Sequence, residues 1–127
     1  MRIALASLFA LSLSATTALA ECPTKAPSTS KIKFEPGDQR VNAAWLQNNL
    51  AGHRILFDGW SESYHSNGEY SYKSNYGNDH APGFKFYDNG FRCIDYKKPR
   101  FDLYVVNDGK LVMIILAGVR FEAKGIR

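Results

Sequence analysis

Residues 101–124 read FDLYVVNDGKLVMIILAGVRFEAK, and this stretch decides the fold. Its apolar and polar side chains alternate at 101–105, which is typical of a β-strand with one face on a core and one in water. Residues 107–109 form an Asn-Asp-Gly signal for a tight hairpin turn. The following run at 111–116 is apolar on both faces. We therefore expect that strand to be covered on both sides, one of them by a helix.

The same alternation continues outward to His53. Further hairpin signals occur at 58–59, 66–68 and 88–90, each ending in glycine. The strand-like runs between the turns are 54–57, 69–74, 84–87, 91–96, 101–106, 110–116 and 119–124. They predict an antiparallel meander that forms a curved sheet or small barrel.

A single helix is predicted before the meander. Asp38 can cap a helix over 39–50, and Gly52 can end it. The apolar residues that fall near one face of that helix are Val41, Ala44, Trp45 and Leu50. The predicted fold class is thus α+β, mainly β, with one N-terminal helix.

The first twenty residues resemble a cleavable signal peptide. An apolar run at 3–13 follows Arg2, and an Ala-Leu-Ala site ends at Ala20. We expect a periplasmic or secreted protein with no membrane span, because the apolar run is shorter than a spanning helix requires. The predicted organisation is a signal peptide at 1–20, an extended arm at 21–37 and one helix-plus-meander domain at 38–127.

The charge of the chain is mildly basic. Its 127 residues contain 16 Lys and Arg against 12 Asp and Glu, a net charge of +4. Loss of 1–20 removes only Arg2 and lowers this charge to +3. Because the basic residues are scattered along the chain, the sequence predicts no nucleic-acid interface.

Cys22 and Cys93 are the two cysteines of the chain. An even pair in an exported protein most often forms a disulfide, so we expect this bond to hold the start of the arm on the sheet. Neither cysteine has the Cys-x-x-Cys spacing or the clustered histidines of a metal or redox site.

Residues 60–87 have the composition of a recognition surface. They contain five of the seven tyrosines and two of the three histidines, together with many Ser, Asn and Gly residues. Tyrosine supplies rigid amphipathic contact area, and small polar residues supply adaptable hydrogen bonds. The alternative is that these tyrosines are ordinary strand residues. The predicted ligand-binding residues are Tyr64, His65, Tyr70, Tyr72, Tyr76 and His80.

No cofactor, metal site or catalytic residue is predicted. His65 and Glu69, with Asp79 and His80, could be imagined as metal ligands, but a predicted turn separates the first two. The sequence lacks the Gly-x-Ser-x-Gly, His-Glu-x-x-His and phosphate-loop motifs. A small hydrolase that uses His65 or His80 with a carboxylate stays open as an alternative.

Several short motifs resemble those of a known group of proteins. They are Leu50-Ala51-Gly52, Asp58-Gly59, Asn67-Gly68-x-Tyr70 and Asp88-Asn89-Gly90-Phe91-Arg92-Cys93. With the signal peptide, they resemble small uncharacterised periplasmic proteins of Gram-negative bacteria with lipocalin-like or half-barrel sheets. The resemblance covers about 46–124, rests mainly on turn residues and implies no catalytic residues.

The function expected from composition and resemblance is non-enzymatic binding of an envelope protein or glycan through a Tyr-rich face, by a monomer or homodimer. An alternative is an inhibitor or immunity protein against a cell-wall hydrolase. Residues 66–70, Ser-Asn-Gly-Glu-Tyr, are similar to the Ser-Gly-x-x-Tyr loop of periplasmic lysozyme inhibitors, but Asn67 separates the Ser from the Gly.

Overall fold

The computed structural model describes residues 21–127, so the predicted signal peptide lies outside the described residues. The described chain is α+β and mainly β, as predicted, with one helix and eleven strands. None of its helices is long and apolar enough to cross a membrane. The elements are β1 Gln39–Arg40, α1 Ala43–Leu50, β2 Arg54–Leu56, β3 Trp60–Tyr64, β4 Tyr70–Ser74, β5 Gly77–Ala81, β6 Phe84–Phe86, β7 Phe91–Ile94, β8 Arg100–Asn107, β9 Lys110–Ile115, β10 Arg120–Glu122 and β11 Gly125–Ile126.

The strands form two antiparallel sheets rather than one closed barrel. Sheet A has the order β10-β9-β8-β7-β6, and β1 also pairs with β8. Sheet B has the order β11-β2-β3-β4-β5. Consecutive strands are neighbours through most of both sheets, so the meander is confirmed.

The hairpin predicted at 107–109 is confirmed. Strands β8 and β9 pair from Asp102 opposite Ile115 to Asn107 opposite Lys110. At the turn, Asp108 and Gly109 have φ values of 51° and 71°. This left-handed backbone at both central positions is what a tight hairpin with the strands' own twist requires.

Sheet A is buried on both faces. Its inner face packs against sheet B through Tyr104, Leu111 and Met113. Its outer face contributes Leu103, Val105, Val112 and Ile114 to a second apolar cluster. The expected double covering of β9 is thus confirmed.

Helix α1 packs mainly against β6. Its buried Leu46 and Leu50 belong to the same apolar core cluster as Leu111 and Met113, on the inner face of β9. The outer face of sheet A is covered by the N-terminal arm, residues 21–37, which packs Ala26, Ile32 and Phe34 against it.

The disulfide between Cys22 and Cys93 is confirmed, with the two Cα atoms 5.9 Å apart. From the sequence we expected only this bond to hold the start of the arm on the sheet. The structure adds hydrogen bonds from the Tyr87 hydroxyl to the Pro23 carbonyl at 2.6 Å and from the Asn89 amide to the Pro27 carbonyl at 2.8 Å. The arm is therefore part of the packed domain.

The helix begins later than predicted. Asn42 is the N-cap, and its side chain accepts a hydrogen bond from the Trp45 amide at 2.9 Å. The predicted cap, Asp38, instead binds the Arg120 guanidinium at 2.7 and 3.0 Å. Residues 39–40 cannot be helical because they pair with β8.

Candidate functional site

The inner face of sheet B is built by alternation along β3. Trp60, Glu62 and Tyr64 point between the sheets, as alternate residues of a strand must share a face. Across the sheet, Glu62 is paired with Tyr72, and Tyr72 is paired with Asp79. This register places Glu62 and Asp79 on opposite sides of Tyr72.

A cavity of about 360 Å³ lies between the two sheets. Its volume is within the usual range of about 300–1,000 Å³ for small-molecule sites. Five of its eleven lining residues are aromatic and three are charged. The lining residues are Trp60, Glu62, Tyr70, Tyr72, Asp79, Ile94, Tyr96, Arg100, Met113, Ile115 and Phe121.

Glu62 lies at the buried base of this cavity and is saturated with hydrogen bonds. Its Oε1 accepts from Arg92 Nη1 at 2.5 Å and from the Tyr70 hydroxyl at 2.9 Å. Its Oε2 contacts the hydroxyls of Tyr64, at 2.9 Å, and Tyr104. A carboxylate has about four acceptor positions, so Glu62 has none left for a ligand.

Arg92 joins the two sheets at the same place. It extends from β7 to Glu62 of sheet B, and its Nη2 also donates to Asp102 on β8. The side chains of all three residues are at most 2% exposed. Arg100, which is 53% exposed, binds the same Asp102 from outside through Nε at 2.9 Å. We call Glu62, Arg92 and Asp102, with the three tyrosine hydroxyls, the buried ion cluster.

The tyrosines of the buried ion cluster stay protonated. Burial, reinforced by the negative charge of Glu62, raises the pKa of Tyr64 and of Tyr104 far above the ordinary value. The same two causes raise the pKa of Tyr70. The hydroxyls therefore remain hydrogen-bond donors to Glu62 across the whole physiological pH range.

The cavity's outer part has the opposite character. The hydroxyls of Tyr72 and Tyr96 and the carboxylate of Asp79 hydrogen-bond to no side chain or backbone group of residues 21–127. Burial, and then the charge of Asp79, raises the pKa of Tyr96. These three groups are free to contact a ligand.

The six predicted ligand-binding residues do not form one exposed surface. Tyr70 and Tyr72 line the cavity, and Tyr64 is fully buried behind it. Tyr76 is fully exposed at the tip of the β4–β5 hairpin. His65 and His80 lie on the outer side of sheet B, away from the cavity.

The two histidines occupy an exposed polar patch. His65 Nε2 is 2.8 Å from Ser71 Oγ, and His80 Nε2 is 3.6 Å from Glu69 Oε2. A hydrogen bond from the Asn67 amide, followed by the charge of His80, lowers the pKa of Glu69. His65 lines a separate surface cavity with Gln47, Ser66 and Phe84, and no carboxylate of residues 21–127 lines that cavity.

A metal site at this patch gains no geometric support. Among the described residues, the group of three or more possible ligands whose atoms all lie within 4.8 Å of one another is Cys22, Cys93 and Asp95. Because the two sulfurs form the disulfide, this cluster offers no thiolate to a metal.

The turn at 66–68 is exposed, as a loop that enters another protein's cleft would need to be. Tyr70, however, is 2% exposed and donates its hydroxyl to Glu62. The tyrosine of the inhibitor-like motif is therefore committed to the interior of this protein.

Fold and site together define an α+β protein with a ligand-sized cavity between two sheets. No protein-family model, curated protein or solved structure matches the chain. Sequence patterns did not identify Trp60, Tyr96, Arg100 and Phe121 as lining residues, because these residues come from four separate segments. The alternation in 60–64, WSESY, was the one local signal of an inward-facing row.

Proposed function

We propose that this protein is a non-enzymatic binding module of the periplasm or the extracellular medium, which recognises an envelope protein or glycan. The inter-sheet cavity receives a group of that partner. The observation that carries this proposal is the contrast within the cavity. Its base is saturated, whereas Asp79, Tyr72 and Tyr96 are free to bind. Concave sites lined by aromatic side chains with a few polar groups are the usual form of a ligand-binding pocket.

The location is supported by two features. Residues 1–20 have the pattern of a signal peptide, and the disulfide is of a kind that persists in oxidising compartments. Sequencing the N-terminus of the protein from cells tests this part of the proposal. Glu21 as first residue is expected, and an uncleaved Met1 would contradict it.

The binding role is tested by affinity capture from an envelope extract. The bait is residues 21–127, and the cavity variant carries Tyr72→Leu with Asp79→Asn. The matched control carries Tyr76→Ala with Asp108→Asn, which replaces one tyrosine and one aspartate on exposed turns. Tyr64 and Tyr70 are left intact because their replacement would disturb the core.

We expect a partner that the unmodified bait and the control retain and the cavity variant loses. Equal recovery on all three baits would contradict the proposal. Loss of the partner on the control bait alone would mean that recognition takes place at the hairpin tips and not in the cavity.

A further inference from the structure

Three aromatic rings of the cavity stand at different angles. The ring of Trp60 lies 5.6 Å from that of Tyr72 at 35° and 5.6 Å from that of Phe121 at 85°. Phe57 stacks on Trp60 at 4.0 Å and fixes the indole from behind. We call Trp60, Tyr72 and Phe121 the aromatic wall. All three of these side chains line the cavity, so a group inside it lies beside several aromatic rings.

The charges beside the aromatic wall do not cancel. In the buried ion cluster, Arg92 and the neighbouring Arg100 balance Glu62 and Asp102. Asp79 remains, and no basic group of the described residues lies within 4.0 Å of it. The cavity therefore has one excess negative charge, next to Tyr72 in the register of β4 and β5.

We propose that the cavity binds an organic ammonium group, held between the aromatic wall and the Asp79 carboxylate. This inference rests on the proposed binding function and names the chemistry of the group that enters. Aromatic faces attract cations through their quadrupole, and a nearby carboxylate adds direct Coulomb attraction. An anion would be repelled by the Asp79 carboxylate, and Arg100, the one basic residue that lines the described cavity, already pairs with Asp102 through Nε and Nη2.

A neutral sugar fits less well. Its many hydroxyls need several donors and acceptors, usually including amide side chains, yet no Asn or Gln lines the described cavity. An ammonium group can belong to a lysine side chain, an amino sugar or a choline-like head group. These sources share the positive charge that the aromatic wall and Asp79 would attract.

The decisive probe is choline compared with 3,3-dimethylbutan-1-ol, a neutral molecule of nearly the same shape in which carbon replaces the charged nitrogen. Both are titrated into residues 21–127 while amide NMR shifts are recorded. We expect choline to bind about tenfold more tightly, as a partly desolvated cation–π and carboxylate contact implies. The shifted amides should include Tyr72 and Asp79.

Two variants locate the effect. Asp79→Asn should weaken choline binding about tenfold and leave the neutral isostere unchanged, since it removes charge but little volume. Asp108→Asn, on an exposed turn, should change neither titration. Equal affinity for the two probes, no binding of choline, or choline binding that survives Asp79→Asn would each overturn the proposal.

The possible sources of the ammonium group are then tested in pairs. Glucosamine is compared with N-acetylglucosamine, and N-acetyllysine amide is compared with its Nζ-acetyl form.

Ammonium binding and the proposed function fail with different results. If choline and its isostere bind alike while the cavity variant still loses its captured partner, ammonium binding is refuted and the proposed binding function is retained. If choline binds selectively but no captured partner depends on the cavity, the proposed recognition of an envelope partner is refuted.

Discussion

The base and the outer part of the inter-sheet cavity use the same residue types in different ways. At the base, Glu62 receives hydrogen bonds from Arg92 and three tyrosine hydroxyls. In the outer part, Asp79 and Tyr72 have no such partners among the described residues. The first region holds two sheets together, and the second is available to a ligand. Residue type alone does not separate a structural carboxylate from a binding one, whereas the number of filled acceptor positions does.

The strongest way to break this comparison is to remove the cation of the base. Arg92→Met should lower the free energy of unfolding by about 4 kcal/mol, because it leaves the Glu62 and Asp102 carboxylates buried without a counter-charge. Urea denaturation measures this loss. Arg100→Met is the control, since Arg100 is half-exposed and its loss should cost about 1 kcal/mol or less. A loss below that of the control would mean that the cluster is not structural.

A pair of tyrosines on one strand sharpens the comparison. Tyr70→Phe removes a buried donor from Glu62 and should cost about 2 kcal/mol in unfolding free energy. Tyr72→Phe, two residues along β4, removes a hydroxyl without a protein partner and should cost less than about 0.5 kcal/mol. Equal losses in chemical denaturation would show that the two hydroxyls do not differ in role.

The ion pair of Asp38 and Arg120 tests whether a pair outside the cavity also stabilises the fold, as the buried ion cluster does. Hydrogen bonds from Arg120 lower the pKa of Asp38 from 3.8 to about 2. Its stabilising contribution is therefore complete above about pH 4 and is lost as the pH falls toward 2. Asp38→Asn should cost about 1 kcal/mol at neutral pH, after allowance for screening by solvent.

The measurement is the unfolding midpoint of wild type and Asp38→Asn between pH 2 and 7. The two curves should approach each other as the pH falls to 2, where about half of the wild-type Asp38 carboxyl groups are protonated in the folded state. Asp58→Asn serves as control because the Asp58 side chain is 91% exposed, and its curve should follow wild type. Curves that stay parallel down to pH 2 would refute the assignment.

The smallest effect is expected in the outer part of the cavity. Asp79→Asn should change the unfolding free energy by less than about 0.5 kcal/mol, since Asp79 is exposed and unpaired. A thermal melt beside the choline titration compares stability and binding in one preparation. A large loss of stability would mean that Asp79 serves the fold, as Glu62 does.

Much of the fold follows from local patterns in the sequence. The hairpin at 107–109 and the turns at 58–59, 66–68 and 88–90 join neighbouring strands, as their glycines predicted. Strands β3 and β5 did not appear among the predicted runs. Strand β3, WSESY, has the charged Glu62 among its inward-facing residues. Strand β5, GNDHA, consists mainly of residue types that are rare in strands. Pairing with β4 outweighs these preferences.

The site was less accessible to prediction. The concentration of tyrosines in 60–87 pointed to the segment that supplies Tyr70 and Tyr72 to the cavity. The sequence could not show which tyrosines face inward to Glu62, because that depends on Arg92 arriving from the other sheet. A buried charge is recognisable only when its partner is known, and here thirty residues separate the two in the chain.

The disulfide-bound arm gives the fold a definite order in time. During synthesis Cys22 appears first, and Cys93 follows 71 residues later, on the order of ten seconds at ordinary rates of chain growth. Until β7, β8 and β9 exist, Ile32 and Phe34 have no surface to pack on. The beginning of the described chain is thus among the last parts to reach its place, and the newly made protein must wait for its own C-terminal half.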